Sequence, residues 1–451
     1  MTTPTVTASA ALPAKDELAQ IVQQVLDEAK RQGASSAEAS VSVGTGLSVN
    51  VRRGEVETLE HERDRSLAVA VYFGQRQGTA ASADFSAQSV RDTVTAACSI
   101  ARYTSEDPAQ GLADPALLAQ EIPDLDLDHP WDLEPDRAIE LAVACEAAGL
   151  EADERIRNSE GAGVSTGRSM RVYGNSHGFL GGVAGTRHGM NCVVVADQGD
   201  GMQRDFWYTV GRHADELEAP EAVGRQAAQR AVRRLGSRQI GTGRMPVLYV
   251  PEMARGLIGH FLGAVRGASL YRQASFLLDS LGERVFPEHV TLSEHPRLPR
   301  ALGSAAFDNE GVATRERVLV DRGVLQGYVL DSYSARKLGM TTTGNAGGVH
   351  NLTVTPGSLD FQGLLREMGD GLVVTELMGQ GVNGVTGDYS RGAAGFLVAG
   401  GEIVHPVEEI TVAGNLREMF RNIRAVGADL DTRGSVRTGS LLVDDVMVAG
   451  Q

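Results

Sequence analysis

The sequence predicts an α+β fold, in which N-terminal α/β sheet units precede a large, mainly antiparallel β C-terminal domain. In the first half of the chain, segments with the apolar spacing of amphipathic helices flank segments in which apolar and polar residues alternate. In the second half, short apolar runs separated by glycine are typical of antiparallel strands. The length of 451 residues exceeds one ordinary core, which favours roughly two or three domains.

The first α+β domain is predicted over residues 15–106, behind a flexible tail at residues 1–14. Helical spacing opens and closes this domain, and the alternating pattern between indicates strands. Because Gly44, Thr45 and Gly46 interrupt the alternation, we expect an antiparallel hairpin that turns there. The expected elements are a helix over 16–32, hairpin strands over 39–43 and 47–51, a strand over 67–73 and a helix over 86–103.

A connector and a second α+β domain follow. Residues 107–135 are rich in proline and aspartate and show little periodicity, so we interpret them as a connector that lies over the surface. The second domain is predicted over residues 136–236. Its expected elements are a helix over 136–152, strands over 156–164, 169–175, 179–197 and 204–210, and a helix over 218–235.

The C-terminal β-rich domain is predicted over residues 244–451, after a short linker. A strand over 246–250 and a helix over 253–265 open it. Regularly spaced short strands with glycine turns favour an antiparallel sandwich or a barrel-like sheet. The expected strands are residues 318–320, 324–330, 371–376, 395–398 and 407–412.

The charge balance and the apolar pattern limit the partners and the location that we expect for this protein. There are 42 basic and 58 acidic residues, a formal net charge of −16, which disfavours nucleic acid and anionic membranes as partners. No apolar run reaches the roughly 18 residues of a membrane span, and no signal-peptide pattern opens the sequence. Three widely spaced cysteines, Cys98, Cys145 and Cys192, are typical of reduced thiols. We therefore expect a cytoplasmic protein.

A protein metal site is not evident from local spacing. A zincin helix needs two histidines on one face with a glutamate beside the first. The segment 255–260 comes nearest, but it offers His260 alone, with Arg255 and Gly256 where a ligand and the glutamate would stand. Because arginine does not lose its proton in proteins, it cannot act as the ligand. A site assembled from distant residues stays open.

The glycine-rich segments 344–348 and 379–387 offer another candidate site. No Gly-x-Ser-x-Gly elbow is present, and a turn serine such as Ser390 is more often structural than nucleophilic. The segments also lack the lysine of a phosphate-binding loop, so close approach to an extended peptide, or plain turns, explains the glycines better. Candidate residues of a substrate cleft, with a solvated turn as the equal alternative, are Asn345, His350, Gly381, Asp388, Tyr389 and Arg391.

Passages along most of the chain resemble the TldD/PmbA family, also called modulators of DNA gyrase, and within it the TldE (PmbA) branch. The most distinctive are residues 371–381 and 386–396. The resemblance extends from about residue 16 to the C-terminus. Further passages that carry it are residues 54–57, 101–105, 123–127, 174–178, 276–282 and 332–339.

The resemblance implies a subunit without a metal. In this family the TldD subunit carries a His-Glu-x-x-x-His helix and a cysteine near its C-terminus, and the pair hydrolyses unfolded or flexible peptides and matures microcin-type peptides. The corresponding positions here are Arg255, Gly256 and His260, with Thr438 in place of the cysteine. The resemblance thus implies no catalytic residue and no cofactor in this chain, and zinc in a TldD-like partner.

Two functions from different classes follow. The chain is either a TldE-like subunit that completes the chamber of a heterodimeric metallopeptidase, or a non-catalytic peptide-binding or regulatory protein that acts alone or as a homodimer. A self-sufficient hydrolase with a non-local site is the least favoured reading. The first two differ in whether a TldD-like chain is the partner.

Overall fold

The computed structural model describes residues 12–199 and 201–450. The flexible tail predicted for residues 1–14 lies almost wholly outside the described residues. The fold combines helices with mainly antiparallel sheets, so the predicted α+β class is confirmed. Within the two described ranges, no helix is both long and apolar enough to cross a bilayer.

The N-terminal half is built on one six-stranded antiparallel sheet, in the order β3-β2-β1-β4-β5-β6. The pairing of β1 with β4 joins the segment before the connector to the segment after it. The two α+β domains predicted over residues 15–106 and 136–236 therefore share a single sheet. Its strands are β1 (Ser36–Arg52), β2 (Glu55–Phe73), β3 (Arg76–Ser82), β4 (Ile156–Asn175), β5 (Leu180–Gln198) and β6 (Gly201–Gly211).

The hairpin predicted to turn at residues 44–46 is wrong. Strand β1 runs through these residues, and Gly44 pairs with Asp64 on one side and Ser169 on the other. The turn lies instead at Arg53 and Gly54, which have φ angles of 54° and 74°. In the same way, the two strands predicted over 156–164 and 169–175 are the single strand β4. Gly44 is thus a strand residue with no backbone requirement for glycine, since a Cβ there would meet only ordinary contacts at 3.9 Å.

Four helices cover one face of this sheet and leave the other face partly open. The alternating burial of β1, with Val41 and Val49 fully buried, reflects this one-sided cover. Two apolar clusters form beneath the helices, one under the first pair and one under the second. The helices are α1 (Lys15–Arg31), α2 (Ala87–Tyr103), α3 (Pro135–Glu151) and α4 (Pro220–Arg233).

The connector forms a core of its own instead of lying over the surface. Its residues Leu118 and Leu125 are buried and pack with Phe179 of the first half and Phe307 of the second. The rings of Phe179 and Phe307 are 5.1 Å apart in an edge-to-face arrangement. Leucines spaced irregularly between prolines and aspartates have no helical or strand period, which explains why the sequence pattern does not reveal this burial.

The C-terminal half contains two further sheets. One has five strands in the order β10-β9-β8-β11-β16, and the other has six in the order β14-β13-β12-β7-β17-β15. The first sheet comprises β8 (Leu292–Glu294), β9 (Arg317–Asp321), β10 (Val324–Leu325), β11 (Leu352–Val354) and β16 (Val436–Arg437). The second comprises β7 (Gly243–Tyr249), β12 (Gly371–Met378), β13 (Asp388–Ala399), β14 (Glu402–Asn415), β15 (Ile423–Val426) and β17 (Leu441–Ala449).

The six-stranded C-terminal sheet closes on itself. Strand β14 also pairs with β17 at Val412 and Val448, which completes a ring of β14, β13, β12, β7 and β17. Only the β7–β12 and β11–β16 pairs are parallel among the described strands, so the predicted antiparallel, barrel-like architecture is confirmed. The strand expected over 324–330 is shorter, because the chain leaves the sheet after Leu325 and Val329 bonds to Gly267.

Helix α5 (Pro251–Ala264) carries Arg255, Gly256 and His260, which the family resemblance aligns with the metal motif. It begins with a proline at its first turn, where no amide donor is needed, and buries Leu257, Ile258 and Phe261. Residues five apart on a regular α-helix point about 140° apart, so Arg255 and His260 face different surroundings. The remaining helices are α6 (Gly267–Tyr271), α7 (Ser332–Lys337), α8 (Phe361–Met368) and α9 (Leu416–Arg421).

Candidate functional site

Arg255 is held in an ion pair with a buried carboxylate. Its Nη2 donates to Oδ2 of Asp431, which is 8% exposed. Arg433 donates from Nε to Oδ1 of the same carboxylate at 3.0 Å. Burial acts to raise the pKa of Asp431, but the hydrogen bonds from Arg433 and the two positive charges outweigh burial and lower it. The carboxylate therefore stays ionised between two guanidinium groups.

Thr438 lies near Arg255, because both residues contact Asp431. The amide of Asp431 donates to the carbonyl oxygen of Thr438 at 3.0 Å. The Thr438 side chain is fully buried, and its hydroxyl donates to the carbonyl of Gly439 at 2.9 Å. Asp431 thus links two of the four positions at which the resemblance puts the altered metal motif.

His260 faces a different group of residues. Its ring lies edge-on to that of Tyr389 at 5.9 Å. Burial, aided by the charge of Arg391, lowers the pKa of His260, which favours the neutral imidazole. The Tyr389 hydroxyl is enclosed and has no hydrogen-bond partner in the described part of the chain. Gly256 contributes no side chain, and a Cβ added there would meet nothing within 4 Å.

Gly381 and Asp388 belong to a turn that folds back on strand β13. A Cβ at Gly381 would lie 2.0 Å from the carbonyl oxygen of Ser390, so only glycine fits this approach. The amide of Ser390 donates to Gly381 at 2.7 Å, and the exposed Asp388 accepts from Thr386 at 2.6 Å. The glycines serve the chain's own packing, and Asp388, Tyr389 and Gly381 lie near one another.

Asn345 and His350 lie apart from that group, around a buried carboxylate of the five-stranded sheet. Asn345 donates from Nδ2 to Glu294 at 2.7 Å, and the backbone amide of His350 donates to the same oxygen at 2.6 Å. Arg317 neutralises Glu294 through its Nε at 2.7 Å. Burial lowers the pKa of His350. The structure therefore does not bring these two residues together with Asp388, Tyr389 and Arg391.

The residues present do not fit a metal ion. Over residues 12–199 and 201–450, no group of three or more His, Cys, Asp or Glu side chains is placed to hold one. At the motif positions, Arg255 is a cation and Gly256 has no donor. The hydroxyl of Thr438 is already bonded to a carbonyl. A divalent cation at this place would face the positive charges of Arg255 and Arg433.

A cavity of about 450 Å³ opens beside Asp431, between helix α4 and strand β6 on one side and the C-terminal half on the other. We call it the central cavity. Arg433 stacks on Trp207 at 4.4 Å and pairs with Glu252 at 3.3 Å. Arg230 pairs with Asp205 at 3.2 Å. The lining holds five carboxylates and three guanidinium groups, and several of these are paired with one another.

Two arginines, Arg433 and Arg234, donate to the outer edge of the N-terminal sheet. Strand β6 is an edge strand, yet Arg433 donates from Nη1 to the carbonyl of Tyr208 at 3.0 Å. Arg234 likewise donates to the carbonyl of Arg204 at 3.1 Å. Sequence reasoning missed Asp431, Arg433 and their partners. The one local signal is the Asp-x-Arg spacing of residues 431 and 433.

Known proteins resemble this chain in sequence over most of its length. Three family models match: "PmbA/TldA metallopeptidase domain 1" over residues 37–101, the central domain over 128–235 and the C-terminal domain over 242–450. The metalloprotease PmbA of Escherichia coli O157:H7 is 50% identical over 415 residues, which cover 92% of each chain. The chain belongs to the PmbA/TldD family. At that identity it lies in the PmbA, or TldE, branch.

Solved structures of the PmbA/TldD family have the same fold. A Bacteroides thetaiotaomicron protein described as a modulator of DNA gyrase superposes with a TM-score of 0.92 at 29% identity, covering 97% of this chain and 99% of that one. TldE of Thermococcus kodakarensis gives a TM-score of 0.84 at 21% identity, over 95% and 100% of the two chains. The second likeness extends to the fold alone.

Proposed function

We propose that this PmbA/TldD-family chain is the TldE-like, non-catalytic subunit of a heterodimeric TldD/TldE zinc metallopeptidase. The TldD-like partner would hold the metal. The pair would degrade unfolded or flexible peptides and mature microcin-type peptides. The single observation that carries the proposal is the ion pair of Arg255 with buried Asp431, at the position where the TldD motif has its first ligand.

The ion pair supports this role because the Asp431 carboxylate is buried, so the contact belongs to the folded interior and not to the exposed surface. Removing one member of a buried pair typically costs about 3–5 kcal/mol. Asp431 also accepts the backbone amide of Arg433 at 2.9 Å. A site organised around a fixed cation in this way has no place for a divalent metal, so the chemistry would belong to the partner.

Strand-like capture of a peptide is supported by the free edge of β2. Strand β3 pairs with β2 only over Leu67–Phe73. Residues 55–66 are all exposed, and no described strand lies on their outer side. An extended peptide adds to such an edge through backbone hydrogen bonds. The β6 edge, by contrast, is covered by arginines, and the glycines near residue 381 face their own strand.

The proposed setting is the cytoplasm, with neither nucleic acid nor membrane as partner. The formal net charge of −16 supports this, because such a surface repels phosphate groups. The gyrase-related family name would then reflect an indirect effect through a peptide. A homodimer of this chain in the absence of a TldD-like partner is the alternative assembly.

The test is to purify the chain alone, the TldD-like subunit of the same cell alone, and both together. Bound zinc and cleavage of an unstructured peptide are measured for each. We expect zinc and full cleavage with the mixture, neither with this chain alone, and weak cleavage with the partner alone. Equal cleavage by the partner in the absence of this chain would rule out the subunit role. Peptide binding without any complex would favour the regulatory alternative.

A further inference from the structure

Arg437 forms no ion pair with any carboxylate in residues 12–199 and 201–450. It lies on strand β16, next to Thr438, and is half-buried. Its Nε is enclosed and lacks a hydrogen-bond partner in the part of the chain that the structure describes. Burial lowers the pKa of Arg437, and no neighbouring carboxylate opposes this effect. Buried polar groups are usually paired, and an unpaired one calls for an explanation.

The neighbouring carboxylates are engaged elsewhere. Glu216 accepts the backbone amide of Arg212 at 3.0 Å, and Glu218 accepts from Nε1 of Trp207 at 3.1 Å. The nearby Arg300 has its own partner in Asp126 at 2.5 Å. The surroundings of Arg437 therefore contain acidic groups, but the fold uses each of them for another contact.

Arg437 lines a cavity of about 520 Å³ together with apolar residues and with the charged Glu216, Glu218, Arg300 and Arg433. We call it the Arg437 cavity. Its apolar wall is formed by Val210, Leu298, Pro299, Ala301 and Leu302. The terminal nitrogens of Arg437, unlike Nε, are not among the enclosed unpartnered atoms. The cavity thus brings the guanidinium group of Arg437 and several apolar side chains into one lining.

We infer that the Arg437 cavity binds the C-terminal residue of a peptide, with the guanidinium group holding the carboxylate and the apolar wall holding the last side chain. Planar guanidinium groups bind carboxylates through two parallel hydrogen bonds. A carboxylate joined to an apolar side chain is the chemistry of a peptide C-terminus. The inference deepens the proposed function, on which it rests for the choice of a peptide.

The two cavities are adjacent, which leaves room for the residues that precede the C-terminus. Glu218, Thr432 and Arg433 line both the Arg437 cavity and the central cavity. A peptide anchored at Arg437 can therefore extend along this shared wall. The anchor would hold a peptide by its end, whereas the β2 edge would hold it by its backbone.

The test is calorimetric titration of this chain alone with N-acetyl-Ala-Ala-Leu, with its C-terminal amide, and with inorganic phosphate. We expect the free acid to bind at least about tenfold more tightly than the amide, because the amide has no charge for Arg437. Phosphate should bind more weakly than the acid, since it lacks the apolar group. Equal binding of acid and amide would overturn the inference, and so would a preference for phosphate.

Substitutions separate the anchor from general effects. Arg437→Gln should abolish the preference for the free acid without lowering the melting temperature, whereas Arg225→Gln, at an exposed arginine of α4, should leave it intact. Loss of the preference in both variants would contradict the inference. A second result would also contradict it. If the TldD-like subunit protects Arg437 from an arginine-specific reagent and the peptide does not, the ligand of Arg437 would be a carboxylate of the partner subunit.

The result is independent of the subunit test. If the isolated chain prefers the free acid and forms no complex with a TldD-like subunit, the inference about Arg437 would be supported and the proposed heterodimer would be wrong. If the complex is active but the isolated chain binds the acid and the amide equally, the proposed heterodimer would be supported and the inference about Arg437 would be wrong.

Discussion

At the residue scale, Asp431 holds the candidate site together. Its carboxylate binds Arg255 and Arg433, and its backbone amide binds Thr438. Loss of the carboxylate would leave Arg255 without its ion-pair partner and Arg433 with Glu252 alone. Loss of Arg255 would leave the carboxylate still paired with Arg433. The two partners are therefore unequal in what their removal costs.

We predict that Asp431→Asn lowers the free energy of unfolding by about 3–5 kcal/mol, as expected for a broken buried pair. Arg255→Ala should cost less, because Arg433 remains. Urea denaturation measures both. The exposed Asp132→Asn serves as the matched control and should change little. A larger loss for Arg255→Ala than for Asp431→Asn would show that the site is organised differently.

A buried carboxyl pair gives the second residue-scale prediction. Burial raises the pKa of Asp308 to about 6 and, with the charge of Asp308, that of Glu310 to about 7. Because both folded-state pKa values exceed the unfolded ones, their stabilisation is complete only below the ordinary values of 3.8 and 4.5, and it is lost progressively as the pH rises from there through about 6 and about 7. The loss at Glu310 is of the order of 3 kcal/mol.

Glu310→Gln tests this pH dependence, because glutamine is neutral and can still accept the amide of Ser332, now 3.0 Å from the carboxylate. The variant should gain stability relative to the natural chain between pH 5 and pH 8, by up to about 3 kcal/mol. Urea denaturation at a series of pH values measures the difference. A constant difference across that range would mean that Glu310 titrates normally.

At the element scale, two helix glycines should respond in opposite ways. A Cβ at Gly224 of α4 would lie 2.0 Å from the carbonyl oxygen of Cys145 on α3. Gly224→Ala should therefore push the helices apart and cost about 2–3 kcal/mol. Gly259 of α5 meets nothing within 4 Å, so Gly259→Ala should stabilise by up to about 1 kcal/mol. Thermal unfolding of both variants checks the contrast, and a stabilised Gly224→Ala would disprove the close packing.

The elements also indicate what sequence alone can and cannot predict. Amphipathic helices such as α1 and α2 were predicted within a residue or two, because their apolar spacing reflects burial on one face. The prediction of a turn at Gly44 is wrong, because a glycine in a turn and a glycine within a strand look alike in sequence. Only the pairing partners on both sides distinguish them.

At the scale of the whole molecule, the connector core joins the two halves. We predict that Phe307→Ala lowers the free energy of unfolding by about 3–5 kcal/mol, since Phe307 is buried against Phe179. Both tryptophans, Trp131 and Trp207, lie in the N-terminal half. Their fluorescence should therefore report a lower midpoint although the substitution lies in the other half. An unchanged midpoint would mean that the halves unfold independently.

The candidate site was predictable only where one segment carries it. The resemblance located Arg255, His260 and Thr438, and the structure brings Arg255 and Thr438 together through Asp431. Asp431 and Arg437 escaped prediction because their roles arise from residues far away in the chain. An arginine without a counter-ion cannot be recognised from sequence, since the sequence does not say which carboxylates are already engaged.

The closed C-terminal barrel has a consequence for how the protein is made. Its first strand, β7, pairs with its last, β17, as Gly243 does with Val448. A ribosome delivers β7 long before β17, so the barrel cannot close until β17 has been made. Nascent chains would therefore carry an open β7 edge and depend on chaperones during translation. The same adjacency of ends should make this domain tolerant of circular permutation through a short linker.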